Sequence, residues 1–545
     1  MRLLVAALVL AFAPVASASS GELVTVTTDS AVATWMTASP GDSTACWSAA
    51  GVPQQCVTQE SGVTLHRVEI DGLFGGTTYS YTLSSGGASE PVSLTNPGVF
   101  STLTPPPGRH LFDFALMSDL HIGEGCAGTA VSAPLTGTSV PPCFSAPDYA
   151  ETMDRAAVAE IAARRIGLTL VDGDVTAEAR PAETALAADV LHGLPGRVLV
   201  ARGNHDRVHS DDDHAACAEH DCFRATFHPR SATSRIYFST SYGGVHFIVL
   251  DSVMGGSTGD LTDAGQNEWL AADLAAHASM PTFIAFHHPV SEYADLFEAE
   301  PIIFGVPPNA GGTAFLHTVA ENPQIVGVFG AHTHRNFNSY GGEAGVRTPF
   351  VENGTAKEYP GGYSVVSLYE GGYTRSFFRT GCAFCREWTQ TTTGEYFGLA
   401  PQYVLGSLGT RNFTHVYGCD AEDPVTSLPG TESLIGGVVT PPARCLQAPV
   451  TPVEFRFRVL GHRLHGLRLR CVSAGPCAVR GRVMRHGRFV ARVRRVMVAD
   501  GATRRLRVRR VPVTGRLRGR AAAAGIAVLR VSGPTGHRTV RRRLR

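Results

Sequence analysis

The sequence predicts an α/β fold with a central layered sheet, flanked by an N-terminal all-β sandwich and a small C-terminal β-module. Three observations carry this. Residues 109–380 alternate apolar runs of strand length with amphipathic helices and then turn to strands alone. Five of those runs end in side chains able to bind metal, and in open α/β sheets ligands gather at the carboxyl ends of strands. The two ends of the chain instead alternate polar and apolar residues in short period-two runs.

In chain order, Arg2, the apolar Leu3–Val15 and the small residues Ala16-Ser17-Ala18 read as a signal peptide over residues 1–18. The apolar stretch is short for a membrane span, which takes about 20 residues. Residues 19–107 hold runs such as Leu23–Thr27 and Ala31–Met36. Thr64–Ile70 and Tyr79–Leu83 follow, separated by a glycine-rich loop. This resembles a fibronectin type III-like sandwich with Trp35 and Tyr81 in its core, acting as a spacer or lid and closed by a proline linker at Pro105–Pro107.

Within 109–380, helices are expected over Tyr149–Arg165 and Pro181–Leu194, and a third is capped by Thr262 and runs through Trp269 and Leu274. Arg235–Thr240 and Val245–Leu250 read as paired strands, with more at Thr348–Glu352, Tyr363–Leu368 and Arg375–Arg379. Loops Ile122–Pro147 and Arg207–Ser234 leave directly from ligand clusters and are expected to wall the site. Asp211, Asp212, Asp213 and His214 read as a solvated acidic loop in preference to a further cation site. Residues 381–450 form a cysteine-containing extension in which Cys382 and Cys385 read as a structural disulfide. From 451 to 545 arginines alternate with Val, Leu and Phe, as in Leu467-Arg-Leu-Arg470, predicting half-buried strands with one arginine-lined face.

Hydrophobic content of 43% excludes global disorder. The twelve cysteines fall mostly as near neighbours (46/56, 126/143, 217/222, 382/385, 419/445 and 471/477), which suits local disulfides in an oxidising compartment. With the signal peptide, this reads as a secreted protein. Formal net charge is zero, yet beyond Val453 only Glu454 and Asp500 oppose the arginines. That module is a candidate contact for polyanions or the cell surface, with a merely solubilising face as the alternative. Lys357 is the only lysine in the chain.

The five runs lead into Asp119-Leu-His121, Asp172-Gly-Asp174, Asn204-His205-Asp206, His287-His288 and His332-Thr-His334. If their strands share one sheet, these residues converge on one rim. Asp119, His121, Asp174, Asn204, His287, His332 and His334 then offer carboxylates, imidazoles and an amide oxygen but no thiolate, a donor set for Fe, Mn or Zn. Seven ligands suit two ions sharing a carboxylate. Paired ions about 3.5–4 Å apart clamp the attacking and leaving oxygens of an in-line displacement. The resulting positive centre favours an anion, and phosphate esters fit it best. His192, His246 and His317 lack such company and read as packing or surface residues.

In this order, Asp-x-His, Gly-Asp, Gly-Asn-His-Asp, His and His-x-His resemble the calcineurin-like metallophosphoesterases over residues 109 to about 370, and the sandwich in front resembles the N-terminal domain of purple acid phosphatases. The resemblance implies an α+β layered sandwich. It implies that Asp119, His121 and His334 hold one metal, that Asn204, His287 and His332 hold the other, and that Asp174 bridges them. His287 is preferred to His288 on that pattern alone. His205 would contact phosphate and protonate the leaving oxygen, with Asp206 orienting its ring and a metal-bridging hydroxide as nucleophile. Purple acid phosphatases carry glycine where His121 stands and a tyrosine ligand where Ala177 stands, so the site is nearer the phosphodiesterase-like branch. Ala331 also replaces the usual glycine before His332. The expected activity is hydrolysis of phosphodiesters, or of both mono- and diesters. A phosphomonoesterase is the alternative, and a non-catalytic polyanion-binding surface protein a more distant one.

Overall fold

The structure is a computed structural model that describes residues 21–127, 143–229, 235–253, 261–289, 310–339, 348–394 and 404–417, with strands between 457 and 544. The residues expected to form a signal peptide, the middle of the first long loop and Cys419 and Cys445 lie outside the described residues. The chain divides into two compact units, one holding the N-terminal and central sheets and the other the C-terminal strands.

Eight strands form the N-terminal region: β1 (Glu22–Val26), β2 (Ser30–Gly41), β3 (Thr44–Ala49), β4 (Val52–Thr58), β5 (Val63–Asp71), β6 (Thr78–Ser85), β7 (Ala88–Ser89) and β8 (Val99–Ser101). They make two sheets, β1-β2-β5 and β4-β3-β6-β7, with β8 on β6. The glycine-rich loop thus carries the chain from one sheet to the other. Period-two alternation along β6 buries Tyr79, Tyr81 and Leu83, which join Trp35 in the shared core.

The central region holds β9 (His110–Met117), α1 (Tyr149–Arg164), β10 (Leu168–Val171), α2 (Pro181–Leu191), β11 (Arg197–Val200), α3 (Cys222–Phe227), β12 (Phe238–Tyr242), β13 (Val245–Val249), α4 (Ala264–Ala276), β14 (Thr282–Ala285), α5 (Ala310–Glu321), β15 (Ile325–Gly330), β16 (Phe337–Ser339), β17 (Phe350–Glu352), β18 (Gly362–Tyr369) and β19 (Gly372–Arg379). After α6 (Ala383–Thr392), β20 (Asn412–Val416) pairs with β19, so part of the cysteine-containing extension completes a central sheet.

The five ligand-bearing strands do not share one sheet. They divide between two six-stranded sheets, β11-β10-β9-β18-β19-β20 and β12-β13-β14-β15-β17-β16. Within each, the ligand-bearing strands run parallel. Phe114 on β9 packs against Phe247, Phe283 and Phe329 of the other sheet with centroids 5.4–5.9 Å apart, which explains apolar runs buried on both faces. Convergence survives because the carboxyl ends of both sheets meet. In α1 the buried Tyr149, Met153, Ala157 and Ile161 recur at helical spacing, and Pro181 opens α2. The cap of α4 is Asp263, not Thr262. Its carboxylate accepts the Gln266 N–H at 2.6 Å, the reach to the third helical residue that an N-cap needs.

Disulfides join Cys46–Cys56, Cys126–Cys143, Cys217–Cys222 and Cys382–Cys385, as the spacing suggests. The C-terminal unit contains β21 (Phe457–Leu460), β22 (Arg468–Cys471), β23 (Cys477–Arg485), β24 (Arg488–Val498), β25 (Thr503–Arg505), β26 (Val508–Arg510), β27 (Gly525–Gly533) and β28 (Gly536–Leu544), in sheets ordered β21-β22-β25 and β26-β24-β23-β27-β28. None of the helices described is long and apolar enough to cross a membrane.

Candidate metal centre

Each ligand-bearing strand stops and turns at once, and the turns are tight. Asp119, His121, Asp174, His332 and His334 all have positive φ, between 45° and 69°. Side chains seldom adopt this conformation, and it persists where surrounding contacts impose it, often at functional sites. Two glycines permit the closest approach of loops. A Cβ on Gly203 would fall 2.1 Å from Asp174 Oδ1, and one on Gly173 would fall 2.7 Å from His287 Nδ1.

The strand ends gather the predicted residues in two groups around Asp174. The ligand atoms of Asp119, His121 and His334 lie within 4.8 Å of one another. His334 Nε2 is 3.6 Å from Asp119 Oδ1, and His121 Nε2 is 3.5 Å from Asp174 Oδ2. Across Asp174, His287 Nε2 is 3.1 Å from Asp174 Oδ2, 3.1 Å from Asn204 Oδ1 and 3.2 Å from His332 Nδ1. His288 instead turns its Nδ1 to Ser252 Oγ at 3.0 Å, though its ring lies beside that of His332.

These residues fit metal ions. With bonds of about 2.1 Å, ligand atoms at right-angled or tetrahedral positions stand roughly 3.0–3.4 Å apart, close to the separations found. Among the described residues, Asp119 Oδ2 and both His121 ring nitrogens are buried without a hydrogen-bond partner, a costly state that a cation would relieve. The outer contacts set the tautomers. His287 Nδ1 donates to the Asp172 carbonyl at 2.9 Å and His334 Nδ1 to Glu358 Oε1 at 2.7 Å, so each ring turns its Nε2 inward.

Electrostatics treat the donors differently. Against the burial that lowers both, Asp174 raises His287 to about 10 and Asp119 and Glu358 raise His334, so these two rings hold a proton that a cation would displace. Burial, helped by the Lys357 ammonium, holds His121 well below its ordinary pKa and hence neutral. Burial pushes the Asp174 carboxyl up, but the His287 ring, by charge and hydrogen bond, with His121 and His205, takes it well below the usual range. Burial likewise opposes ionisation of Glu358, and Lys357 and His334 hold it down to about 2.

His205 is exposed at the rim with its ring 4.5 Å from that of His121. Its backbone N–H donates to Asp174 Oδ1 at 2.8 Å and its Nδ1 to the Ala177 carbonyl at 2.7 Å. Asp206 therefore does not orient that ring. Its carboxylate accepts from the backbone N–H groups of Gly203, Val175 and Thr176 and from the Thr176 hydroxyl, tying together the two loops that carry Asp174 and Asn204. Burial and the charge of Asp174 raise it to about 6.

The second long loop docks beside this point. His214 Nε2 bonds the Glu178 carbonyl at 2.8 Å and its Nδ1 bonds Asp211, so both ring nitrogens already have protein partners. His246 is buried against Asp273 Oδ2 at 2.6 Å, away from the site residues.

Glu358 and Glu352 were not singled out by sequence. Glu352, at the end of β17, accepts from the Thr333 hydroxyl and the Arg335 guanidinium, each at 2.6 Å, and so anchors the His-x-His turn. Neither glutamate belongs to a short motif, and the one available signal is the uniqueness of Lys357 next to Glu358.

A family model described as calcineurin-like phosphoesterase matches residues 112–336. No curated protein matches the chain. Similar solved structures include a purple acid phosphatase from yellow lupin (Lupinus luteus) seeds, 10% identical, covering 66% of this chain and 72% of that one with a TM-score of 0.35. A dimetal phosphatase from Danio rerio is 14% identical, covering 49% of this chain and 96% of that one at 0.35. A phosphopantetheinyl hydrolase from Mycobacterium tuberculosis is 15% identical, covering 46% and 90% at 0.26.

Proposed function

We propose that this chain, whose residues 112–336 form a calcineurin-like phosphoesterase domain, is a secreted hydrolase of phosphodiesters or of both mono- and diesters. The observation that carries the reading is the pair of ligand groups meeting at Asp174, with inward-facing donor atoms 3.1–3.6 Å apart. Asp119, His121 and His334 would hold one ion, Asn204, His287 and His332 the other, and Asp174 would touch both. When bound, such ions polarise the phosphoryl group and lower the pKa of water to yield the nucleophile. Fe, Mn and Zn all suit the donors.

The chain's own residues do the rest. Gly173 and Gly203 bring the two loops close enough for Asp174 to face both groups. The Ala177 carbonyl fixes the Nδ1–H tautomer of His205, so Nε2 is the atom available to hold a phosphate oxygen and deliver a proton to the leaving group. A tyrosine at position 177, which the purple acid phosphatase-like monoesterase reading would want, is absent. The test is turnover of paired nitrophenyl phosphate mono- and diesters by the mature chain supplied with Mn²⁺, Fe or Zn²⁺. Faster diester cleavage supports the reading. Faster monoester cleavage selects the alternative, and absence of bound metal would sink both.

The C-terminal module is read as a polyanion contact. Backbone register pairs Arg509 with Arg492, Arg492 with Arg482, and Arg480 with Arg530, while Val528 links Arg482 to Arg541 across the sheet. Paired residues share a face, so these six arginines lie on one side. Val493, Val508, Gly481, Leu529 and Val540 occupy the other, together with Arg510, Arg538 and Arg542.

A further inference from the structure

The only lysine in the chain is buried, 1% exposed, behind the candidate centre. Its Nζ pairs with Glu124 Oε2 and lies 3.3 Å from Glu358 Oε2. The other oxygen of each glutamate faces a predicted ligand. Glu358 Oε1 accepts from His334 Nδ1 at 2.7 Å, and Glu124 Oε1 is 3.8 Å from His121 Nδ1. A bracket therefore runs Glu124, Lys357, Glu358, His334, and its Glu124 end faces His121 Nδ1 from beyond hydrogen-bond reach.

The bracket is held from outside as well. The Tyr149 hydroxyl on α1 donates to Glu124 Oε2, and Trp388 Nε1 on α6 donates to the Lys357 carbonyl at 2.8 Å. Thr355, two residues earlier, donates its hydroxyl to the Asp119 carbonyl at 2.9 Å. The same segment thus touches the backbone of the third ligand of that group.

We propose that Lys357 is a positioning residue that sets the spacing and ring orientation of His121 and His334, and thereby governs loading of one metal position and not the other. The proposal rests on the dinuclear reading above. Without the ammonium, the buried Glu358 and the partly buried Glu124 lose the cation between them and must separate or draw in water, shifting the residues they contact. Outer contacts of this kind are worth about 10–100-fold in metal affinity.

The test uses the full mature chain, stripped of metal and titrated with Mn²⁺ by calorimetry, with bound metal counted by mass spectrometry. Wild type should bind two equivalents. Lys357→Met should weaken one equivalent by about 10–100-fold and leave the other unchanged, with Lys357→Arg recovering part of the loss. In a His334→Ala background, which removes a ligand of the same position, Lys357→Met should have no further effect on the remaining equivalent. If Lys357→Met fails to fold, Glu124→Gln interrupts the same bracket one step away and should weaken the same equivalent. Two equivalents of wild-type affinity in Lys357→Met, or equal weakening of both, overturns the proposal. Wild type that binds no metal instead overturns the dinuclear reading itself.

Discussion

Asp174 Oδ2 lies 3.1 Å from His287 Nε2, although the two residues leave strands of different sheets. The same oxygen is 3.5 Å from His121 Nε2, so one carboxylate faces both ligand groups. Asp174→Asn keeps the shape and removes the charge. Loss of at least one of two metal equivalents and a fall in turnover beyond about 100-fold are expected, since even outer contacts cost 10–100-fold. Metal counting beside nitrophenyl diester assays reads both, and a variant with full metal content and activity would refute the role.

His205 reaches the rim with a ring nitrogen within 4.8 Å of ligand atoms of His121 and Asp174, though it is not among the predicted ligands. Its Nδ1 is committed to the Ala177 carbonyl, leaving Nε2 for substrate. His205→Ala should lower kcat by about 10²–10⁴-fold, the usual worth of a general acid, with metal stoichiometry unchanged. The loss should shrink for esters with a nitrophenol leaving group, which needs little protonation, relative to alkyl esters. Equal losses on both would remove the proton-donor role.

Asp206 should behave differently from its neighbour. Asp206→Ala leaves four buried donors of Gly203, Val175 and Thr176 without their acceptor. A stability loss of roughly 2–4 kcal/mol is expected from unsatisfied buried groups. Denaturant unfolding of metal-free protein should separate the two variants, with Asp206→Ala destabilised and His205→Ala near wild type. Matching midpoints would contradict the loop-tying role.

Much of this was legible because the motifs sit where apolar runs stop, and a run of four to eight apolar residues ended by a turn signal fits a strand buried on both faces. What composition does not encode is which sheet a strand joins. Phe114 and Phe283 look alike in sequence, yet they come from opposite sheets and meet across the interface at 5.4 Å. Glu358 escaped notice because it follows His334 by 24 residues and acts through tertiary proximity. The ring partner of His205 is a backbone carbonyl, which no side-chain motif can announce.

The arginine face of the C-terminal unit leads to a salt-dependence prediction. Retention of the whole chain on an immobilised polyphosphate matrix should fall steeply between low and high ionic strength, as charge-driven contacts do. Replacing Arg482, Arg492 and Arg509 together by Gln should abolish retention while leaving diester turnover intact. Retention unaffected by the triple change would leave the face as a solubilising surface.

Acid should destabilise the protein through His415 on β20. Burial depresses its pKa from 6.5 to about 4. The folded value lies below the unfolded one, so as pH falls through 6.5 the unfolded chain takes up a proton that the folded chain refuses. Stability from this residue is thus lost between pH 6.5 and 4 and levels off below, with a total of about 3 kcal/mol at 1.36 kcal/mol per unit. His228, depressed to about 4 by burial, acts in the same direction and window. His415→Phe, which keeps a ring against Tyr373, should flatten the pH dependence of metal-free unfolding over that interval by about one proton's worth. Parallel curves for wild type and variant would mean that the burial of His415 carries no such cost, and the acid sensitivity would have to be sought in other residues.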